Sequence, residues 1–191
     1  MQEIYLMRHG QTLFNLYGKT QGFCDSPLTE LGIQQARQAR KYFEQEGLRF
    51  DCAYCSTSER AEDTLLEVYQ GPYTRLKALK EWNFGIFEGG PNYLEPPRKP
   101  GQNSHYDNFV PYGGEHVDQV TSRINQAIQE IVDTHPSKLP LVVTHGGALY
   151  CFYLRWQREG DPRPSFGNCC ILKYGYDQGE FYLLDWIDPG K

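Results

Sequence analysis

Apolar residues along this chain fall into short continuous runs that alternate with stretches of helical periodicity. Continuous runs are typical of strands covered on both faces, and they predict strands over residues 3–7, 50–55, 73–79 and 139–144. Apolar residues that recur every three or four positions predict helices over 29–46, 57–69, 117–135 and from 146 onward. Two final runs, 168–176 and 180–187, flank Asp177-Gln178-Gly179 and predict a hairpin.

The order of these elements indicates the fold class. Strands that alternate with helices predict an α/β protein, a three-layer α/β/α sandwich whose central sheet is mostly parallel and carries an antiparallel edge strand. Neither an internal repeat nor a linker interrupts the pattern, and 191 residues fit one domain. We therefore expect residues 1–191 to form a single domain.

Two helix starts carry sequence signals. Thr29 is placed to cap the first long helix, and Gly47 follows its last turn. Ser56-Thr57-Ser58-Glu59 matches a capping box, which predicts that the next helix begins directly after Ser56. Arg60 then lies in the first turn of that helix.

Residues 86–114 show no regular periodicity. Glycine and proline occur throughout, together with Tyr93, Tyr106, Phe109 and Tyr112. A loop of this length inside a compact domain is usually functional. We expect a substrate loop whose aromatic side chains either line a pocket for a sugar, nucleoside or aromatic alcohol, or anchor the loop in the core.

Composition limits the partners. The chain has 39% hydrophobic and 23% charged residues and a formal net charge of −5. A nucleic-acid or anionic-membrane partner would require a basic face, so neither is expected. The sequence contains no apolar run long enough to span a membrane and no secretory signal pattern, which predicts a cytoplasmic protein.

The six cysteines are expected to be reduced and mostly buried in that compartment. Cys52 and Cys55 have the spacing of a redox or zinc half-site, but they lie in a predicted strand, where residues three apart face opposite sides. The sequence has no second Cys-x-x-Cys and no His-x₃-His partner. We therefore predict that both thiols pack in the core.

Two predicted strands end in the same way. One runs into Arg8-His9-Gly10 and the other into His145-Gly146-Gly147. In open α/β sheets, ligands bind beyond the carboxyl ends of the strands. A histidine there is a structural group, a metal ligand, part of an anion-binding corner or a nucleophile. The shared setting of His9 and His145 favours a functional role for both.

Two arginines indicate the ligand. Arg8 needs a permanent partner or an anionic ligand, because an unpaired buried guanidinium is costly. Arg60 lies at a helix N-terminus that already attracts anions, unless it only pairs with Glu59 or Asp63 on the surface. Two arginines and two histidines suit a phosphoryl group, whose oxygen pairs match the guanidinium fork. The same arginines would repel a dication, so no metal or other cofactor is expected.

Phosphoryl chemistry needs a nucleophile and a proton donor. A neutral imidazole can attack phosphorus near pH 7, and the leaving alkoxide then takes a proton from a general acid. Glu81, which follows the third predicted strand, is the first choice for this acid, and Glu88 and Glu115 are the alternatives.

Six segments resemble, in order, the signatures of one family. They are LMRHGQTLFN, SPLTELGIQQA, YCSTSERAEDT, EWNFGIFEG, PYGGE and VVTHGGAL, and they span about residues 4–149. The set resembles the histidine phosphatase superfamily, also called the phosphoglycerate-mutase-like family. The resemblance implies that His9 is phosphorylated, that the transferred phosphoryl group is held by Arg8, Arg60 and His145, and that Glu81 donates the proton. It also implies that no metal is needed.

Further positions match the phosphate pocket of that family. The residues expected to bind substrate or phosphate, or to orient those that do, are Thr12, Asn15, Gln21, Gly22 and Gly146. The chain departs from the family pattern at two points. The common Ser-Pro-Leu-x-Arg-Ala-x-x-Thr form lacks its Pro-Leu pair here, and GGE is followed by His116 rather than serine, which leaves the role of His116 open.

We expect a phosphomonoesterase that acts through a phosphohistidine on a small phosphorylated metabolite. The alternative is a cofactor-dependent phosphoglycerate mutase, but mutases of this family usually carry a longer, arginine-rich insertion, whereas residues 86–114 hold only Arg98 and Lys99 as firm cations. A binding module for phosphorylated ligands or phosphoproteins is a third hypothesis. A homodimer is a further hypothesis, which edge strands and exposed aromatic residues would permit without specifying it.

Overall fold

Six strands form one mixed sheet within residues 1–190, the part of the chain that this computed structural model describes. They are β1 Gln2–Arg8, β2 Cys52–Ser56, β3 Tyr73–Leu76, β4 Pro140–Thr144, β5 Ile171–Asp177 and β6 Glu180–Ile187. Their order across the sheet is β3-β2-β4-β1-β5-β6. The first four are mutually parallel, β5 is antiparallel to β1, and β6 is antiparallel to β5. The predicted mostly parallel sheet with an antiparallel edge is confirmed.

Helices cover both faces of this sheet. They are α1 Leu13–Leu16, α2 Glu30–Gln45, α3 Glu59–Val68, α4 Val117–Thr134 and α5 Gly146–Trp156. Side chains alternate along each strand, so Leu6 packs beneath α4 and α5, whereas Met7 packs on the opposite face beneath α2 and α3. The predicted three-layer α/β/α sandwich is confirmed. None of the helices in residues 1–190 is both long and apolar enough to cross a membrane.

The two cysteines of β2 point to opposite faces of the sheet, as their spacing predicts. Cys52 packs against the α4 and α5 side, and Cys55 is buried on the α2 and α3 side. Burial raises the pKa of the Cys55 thiol to about 12, which suppresses the reactive thiolate. The six cysteines are free thiols.

One of the two predicted helix starts is correct and the other is wrong. Thr29 caps α2, and its side chain accepts a hydrogen bond from the N–H of Gly32. The capping box predicted at Ser56 does not form, because β2 remains paired with β3 through Ser56 and α3 begins only at Glu59. Ser58 takes the N-cap position, and its side chain makes no capping bond.

The segment after β3 carries the chain toward the end of β4. β3 ends at Leu76, three residues earlier than predicted, because Lys77–Leu79 turns into a short 3₁₀-helix. The hydroxyl of Thr144, the last residue of β4, donates to the carbonyl oxygen of Leu79 at 2.6 Å. Glu81 therefore lies close to the carboxyl end of the sheet.

The irregular segment 86–114 is anchored by one buried aromatic ring. Phe109 is 0% exposed, and Phe84, Phe87 and His105 meet its ring at steep angles. Tyr93, by contrast, is 84% exposed. Of the two roles predicted for the aromatic residues of this segment, Phe109 has the anchoring one.

Candidate active site

Two histidines meet at the carboxyl ends of β1 and β4. The strands are parallel neighbours in which Arg8 pairs with Thr144, so the residues that follow come side by side. The rings of His9 and His145 lie edge to face, with their centroids 5.2 Å apart. Their exposed fractions are 3% and 0%. The structure therefore brings the two predicted strand ends together in one buried site.

The hydrogen bonds of His9 define which of its nitrogens is reactive. Nδ1 lies 2.7 Å from the carbonyl oxygen of Gly10, and because a carbonyl only accepts, Nδ1 carries the proton. Nε2 therefore carries the lone pair, and Arg60 Nε donates to it at 3.3 Å. Burial, together with the charges of Arg60 and Arg8, holds the pKa of His9 well below its usual range. His9 is thus neutral, the state that a nucleophilic imidazole requires.

Arg60 is fully buried and is oriented by the loop of residues 22–25. Its Nη2 donates to the carbonyl oxygen of Gly22 at 2.9 Å, and its Nη1 donates to the carbonyl oxygen of Cys24 at 3.0 Å. The same Nη1 also pairs with Asp25 Oδ1 at 2.9 Å. The alternative of a surface ion pair with an acidic neighbour on its own helix is wrong, because the side chain points inward.

Glu88 supports this 22–25 loop. Its carboxylate accepts hydrogen bonds from the backbone N–H groups of Phe23, Cys24 and Phe84, at 2.9, 2.7 and 3.1 Å. A Cβ added to Gly22 would lie against Glu88 Oε1 and 2.5 Å from the backbone carbonyl oxygen of Trp82, so the close approach requires glycine at this position. Glu88, one of the two alternative proton donors that the sequence predicts, therefore holds backbone N–H groups.

Arg8 is oriented by a strained residue from the far end of the sequence. Its Nη1 donates to the carbonyl oxygen of Phe166 at 2.7 Å, while its Nε is buried and has no hydrogen-bond partner within residues 1–190. Phe166 has a φ of 49°. This left-handed conformation costs a bulky residue roughly 1–3 kcal/mol and is characteristic of functional sites.

Asn168 ties the same segment to the nucleophile. Its Nδ2 donates to the carbonyl oxygen of His9 at 3.1 Å and to Asn15 Oδ1 at 3.2 Å. Neither Phe166 nor Asn168 was identified from the sequence. The available signal was only the turn-like composition of residues 165–168, immediately before β5.

Glu81 lies at the N-terminus of α5. Its carboxylate accepts hydrogen bonds from the N–H groups of Trp82, Gly147 and Ala148, at 2.8, 2.9 and 2.9 Å. A Cβ added to Gly147 would lie 2.6 Å from Glu81 Oε1. Of the three glutamates considered, Glu81 is the one that lines a cavity together with Arg8.

Arg123 and Glu115 hold the segment that carries Glu81. The Arg123 guanidinium donates to the carbonyl oxygens of Ala78, Lys80 and Glu81 at 2.5–2.9 Å. It also donates to both carboxylate oxygens of Glu115 at 2.9 Å. Glu115, the other alternative proton donor, is thus occupied by a largely buried ion pair. His116, whose role the sequence left open, caps α4 through its Nδ1.

His145 is tied to the end of β2. Its Nε2 lies 2.7 Å from Ser56 Oγ, and its Nδ1 is buried without a hydrogen-bond partner in residues 1–190. Burial, followed by the charge of Arg60, lowers the pKa of His145 well below its usual range. Ser56, which the sequence assigned to a helix cap, instead fixes the ring that faces His9.

The remaining predicted pocket residues support the chain after His9. Thr12 Oγ donates to Gln21 Oε1 at 2.7 Å and accepts from the N–H of Asn15 at 3.2 Å. Asn15 Oδ1 accepts in return from the N–H of Thr12. Gly146 starts α5 so close to Arg8 that an added Cβ would lie 3.2 Å from Arg8 Nε.

A cavity of about 510 Å³ opens beside Arg8, Glu81 and Gly146. Its aromatic walls are Trp82, Phe84, Tyr150 and Phe166, and its remaining lining residues are Arg98, Ser104, His105 and Gly147. Tyr93, Tyr106, Phe109 and Tyr112, for which a pocket wall was one of two expected roles, do not line this cavity. The walls come instead from the segment after Glu81, from α5 and from the chain before β5.

The charged groups of the site are not arranged as a metal centre. Within residues 1–190, no group of three or more His, Cys, Asp and Glu side chains is placed to hold a metal ion. The two guanidinium groups beside the histidines instead suit an anion with paired oxygens.

Comparison with known proteins identifies the family. The model of the histidine phosphatase superfamily, branch 1, matches residues 4–189. A "Metal-independent phosphoserine phosphatase" from Arabidopsis thaliana is 34% identical over 163 residues, 80% of this chain and 68% of that protein. A protein named "Probable phosphoglycerate mutase GpmB", from Cronobacter sakazakii, is 30% identical over 199 residues, 98% of this chain and 91% of that protein. The solved structure of Bacillus stearothermophilus YhfR superposes with a TM-score of 0.78 at 27% identity and covers 96% of both chains. The chain belongs to the histidine phosphatase superfamily.

Proposed function

We propose that this protein is a phosphomonoesterase that hydrolyses a small phosphorylated metabolite through a phosphohistidine at His9. The observation that carries the proposal is the state of His9, a neutral imidazole with its lone pair on Nε2, close to two arginines. The family and the similarity to a phosphoserine phosphatase support it. Such a substrate agrees with the cytoplasmic location that the sequence predicts.

In the first step, His9 Nε2 attacks phosphorus in line with the ester oxygen. The N–P bond forms as the P–O bond to the alcohol breaks, and the leaving oxygen takes a proton from the Glu81 carboxyl group. Arg8 and Arg60 offer N–H donors to the equatorial phosphoryl oxygens, and the His145 ring lies beside His9. Catalysis rests on positioning and charge, which is the usual requirement in phosphoryl transfer.

In the second step, water attacks the phosphohistidine. The Glu81 carboxylate accepts a proton from this water, the N–P bond breaks, and inorganic phosphate leaves. His9 and the protonated Glu81 are restored, so the cycle needs no other reactant.

The test is the labelling of His9 itself. Brief incubation of the wild-type protein with a ³²P-labelled phosphomonoester is expected to give an acid-labile, alkali-stable label, and His9→Ala is expected to remove both the label and turnover of p-nitrophenyl phosphate. His135→Asn is a matched control, because His135 bonds to Tyr54 at a distance from this site. A His9→Ala protein with normal phosphatase activity would refute the proposal, and a wild-type protein that binds phosphate esters without becoming labelled would indicate the binding module instead.

Phosphoglycerate mutase is the second candidate function, and the similarity to GpmB favours it. A mutase must hold a bisphosphate, which calls for several cations around the cavity. Arg98 lines the cavity, whereas the neighbouring Lys99 pairs with Asp107 at 3.3 Å on the surface. This shortage of cations supports the phosphatase. Measuring phosphate release and the conversion of 3-phosphoglycerate to 2-phosphoglycerate on one purified sample separates the two activities.

A further inference from the structure

The side chain of His145 has one hydrogen-bond partner within residues 1–190, the hydroxyl of Ser56. Ser56 Oγ lies 2.7 Å from His145 Nε2, and both residues are 0% exposed. Ser56 is the last residue of β2 and is held in register by its pairing with Leu76 of β3. The hydroxyl is therefore fixed in place, and the direction in which it donates its hydrogen decides which nitrogen of His145 carries the proton.

A second hydrogen bond to Ser56 identifies the direction of the first. The N–H of Ser58 donates to Ser56 Oγ at 3.1 Å, so this oxygen already accepts. The serine hydrogen then needs an acceptor, and His145 Nε2 is the only one that the described part of the chain, residues 1–190, places within hydrogen-bond distance. A buried hydroxyl without an acceptor costs roughly 1–3 kcal/mol. Ser56 therefore donates to Nε2, and the proton of the neutral ring lies on Nδ1.

The other two forms of the His145 ring fit these contacts less well. If Nε2 carried the proton, it would donate to Ser56 Oγ, and both the serine hydrogen and the Nδ1 lone pair would be buried without partners in residues 1–190. If both nitrogens were protonated, the ring would be charged, but burial and the charge of Arg60 lower the pKa of His145 well below its usual range. The form with Nδ1 protonated leaves a single unsatisfied group, the N–H itself.

The order of the strands places this N–H on the side of His9. β4 lies between β2 and β1, so Ser56 and His9 come from strands on opposite sides of His145. The two nitrogens of an imidazole direct their bonds widely apart, so a ring that bonds to Ser56 through Nε2 turns Nδ1 away from β2. The centroids of the His145 and His9 rings are 5.2 Å apart. In the proposed mechanism His9 takes up an anionic phosphoryl group, which an N–H attracts and a nitrogen lone pair repels.

We propose that Ser56 is a positioning residue for phosphoryl transfer, whose hydroxyl keeps His145 protonated on Nδ1 so that the ring presents a donor to the phosphoryl group on His9. This rests on the proposed phosphatase function and deepens it. Both histidines carry the proton on Nδ1, but His9 uses it to bond to backbone, whereas His145 uses its Nε2 lone pair to bond to Ser56. His9 thus keeps a lone pair for attack, and His145 keeps an N–H for the charge that the phosphoryl group brings.

The first measurement is the tautomer of His145. In protein labelled with ¹⁵N in histidine, heteronuclear NMR spectra of the ring distinguish a protonated nitrogen from one with a lone pair, and His145→Asn identifies the signals. We expect Nδ1 to be protonated in the wild-type protein at pH 7.5, and a population with the proton on Nε2 to appear in Ser56→Ala. Ser56→Thr, which restores a hydroxyl, is expected to restore the wild-type pattern.

The second measurement is the kinetics of p-nitrophenyl phosphate hydrolysis. Ser56→Ala is expected to lower kcat roughly tenfold or more with little change in KM, because the lost donor acts on the charge of the transition state. Ser58→Ala is the matched control. It removes a nearby buried hydroxyl that has no hydrogen-bond partner in residues 1–190, and it leaves the backbone N–H of Ser58 in place. Ser58→Ala and Ser56→Thr are both expected to keep kcat close to that of the wild-type protein.

Two results would overturn this role of Ser56. One is a wild-type His145 with its proton on Nε2, a result that needs neither a variant nor activity. The other is a Ser56→Ala protein with an unchanged tautomer, whatever its kcat, because Ser56 would then act only through packing. Both results leave the phosphatase function intact, whereas absence of a phosphohistidine at His9 would refute that function and this role with it.

Discussion

Stability is expected to fall as the pH decreases from 7.5 to 5.5, before the carboxylates titrate. The cause is that His9 and His145 are buried beside two arginines, which holds both pKa values well below the usual range. The unfolded chain exposes both rings, and each then binds a proton near pH 6.5. The folded state therefore binds fewer protons than the unfolded state. The stability that this difference contributes is complete above that pH and is lost progressively as the pH falls below it.

The size of the effect follows from proton linkage. Between pH 7.5 and 5.5, a histidine that is neutral when folded and ordinary when unfolded lowers the free energy of unfolding by about 1.4 kcal/mol. His9 and His145 together lower it by about 3 kcal/mol, and His105, whose folded pKa is about 4, adds up to about 1 kcal/mol after allowance for its partial exposure. This is a large part of the roughly 5–15 kcal/mol that stabilises a typical domain.

Urea denaturation at pH 7.5 and 5.5 measures this difference. His9→Asn and His145→Asn are each expected to reduce the pH dependence by about 1.4 kcal/mol, and the double variant by about twice that. Each variant is compared with itself at the two pH values, so changes in packing cancel. A wild-type protein whose midpoint does not move, or a double variant that keeps the full pH dependence, would refute the argument that these rings are neutral in the folded protein.

Two substitutions test the support of the proposed proton donor. Arg123→Met removes the cation that pairs with the Glu115 carboxylate and the donor to the carbonyl groups before Trp82, so we expect a loss of about 3–5 kcal/mol in urea unfolding. A loss below 1 kcal/mol would show that the pair is not structural. Gly147→Ala places a methyl group against Glu81, and we expect kcat for p-nitrophenyl phosphate to fall roughly tenfold or more with an unchanged unfolding midpoint. Unchanged kcat would refute the expectation that the position of the Glu81 carboxylate is tightly constrained for catalysis.

The sheet could be predicted from the sequence because its central strands are buried on both faces. A strand such as β4 must be apolar at every position, and it is 0% exposed at Leu141, Val142 and Val143. The histidines at the strand ends could be predicted for the same reason. A residue that directly follows a buried parallel strand lies at the carboxyl edge of the sheet, where ligands bind.

The partners of the charged groups could not be predicted, because they depend on backbone atoms far away in the sequence. Arg8 is held by the carbonyl oxygen of Phe166, and any residue type supplies a carbonyl. Arg60 is held by Asp25 and by two more carbonyls. Ser56 was misassigned because Ser-x-x-Glu carries a local meaning, a capping box, that the pairing of β2 with β3 overrides.

The helix N-termini at this edge explain why the proposed phosphoryl site relies on arginine. Phosphate is often held by the N–H groups at a helix N-terminus. Here the N–H groups of Gly147 and Ala148 at the start of α5 donate to Glu81, and the N–H of Glu59 at the start of α3 donates to Asp25. Both helices therefore fix carboxylates of the protein, one as the proposed proton donor and the other as the partner of Arg60. In the proposed mechanism, the phosphoryl oxygens are therefore left to side-chain donors. A guanidinium held by carbonyl oxygens stays oriented without losing its charge, and a lysine in its place could not reproduce this.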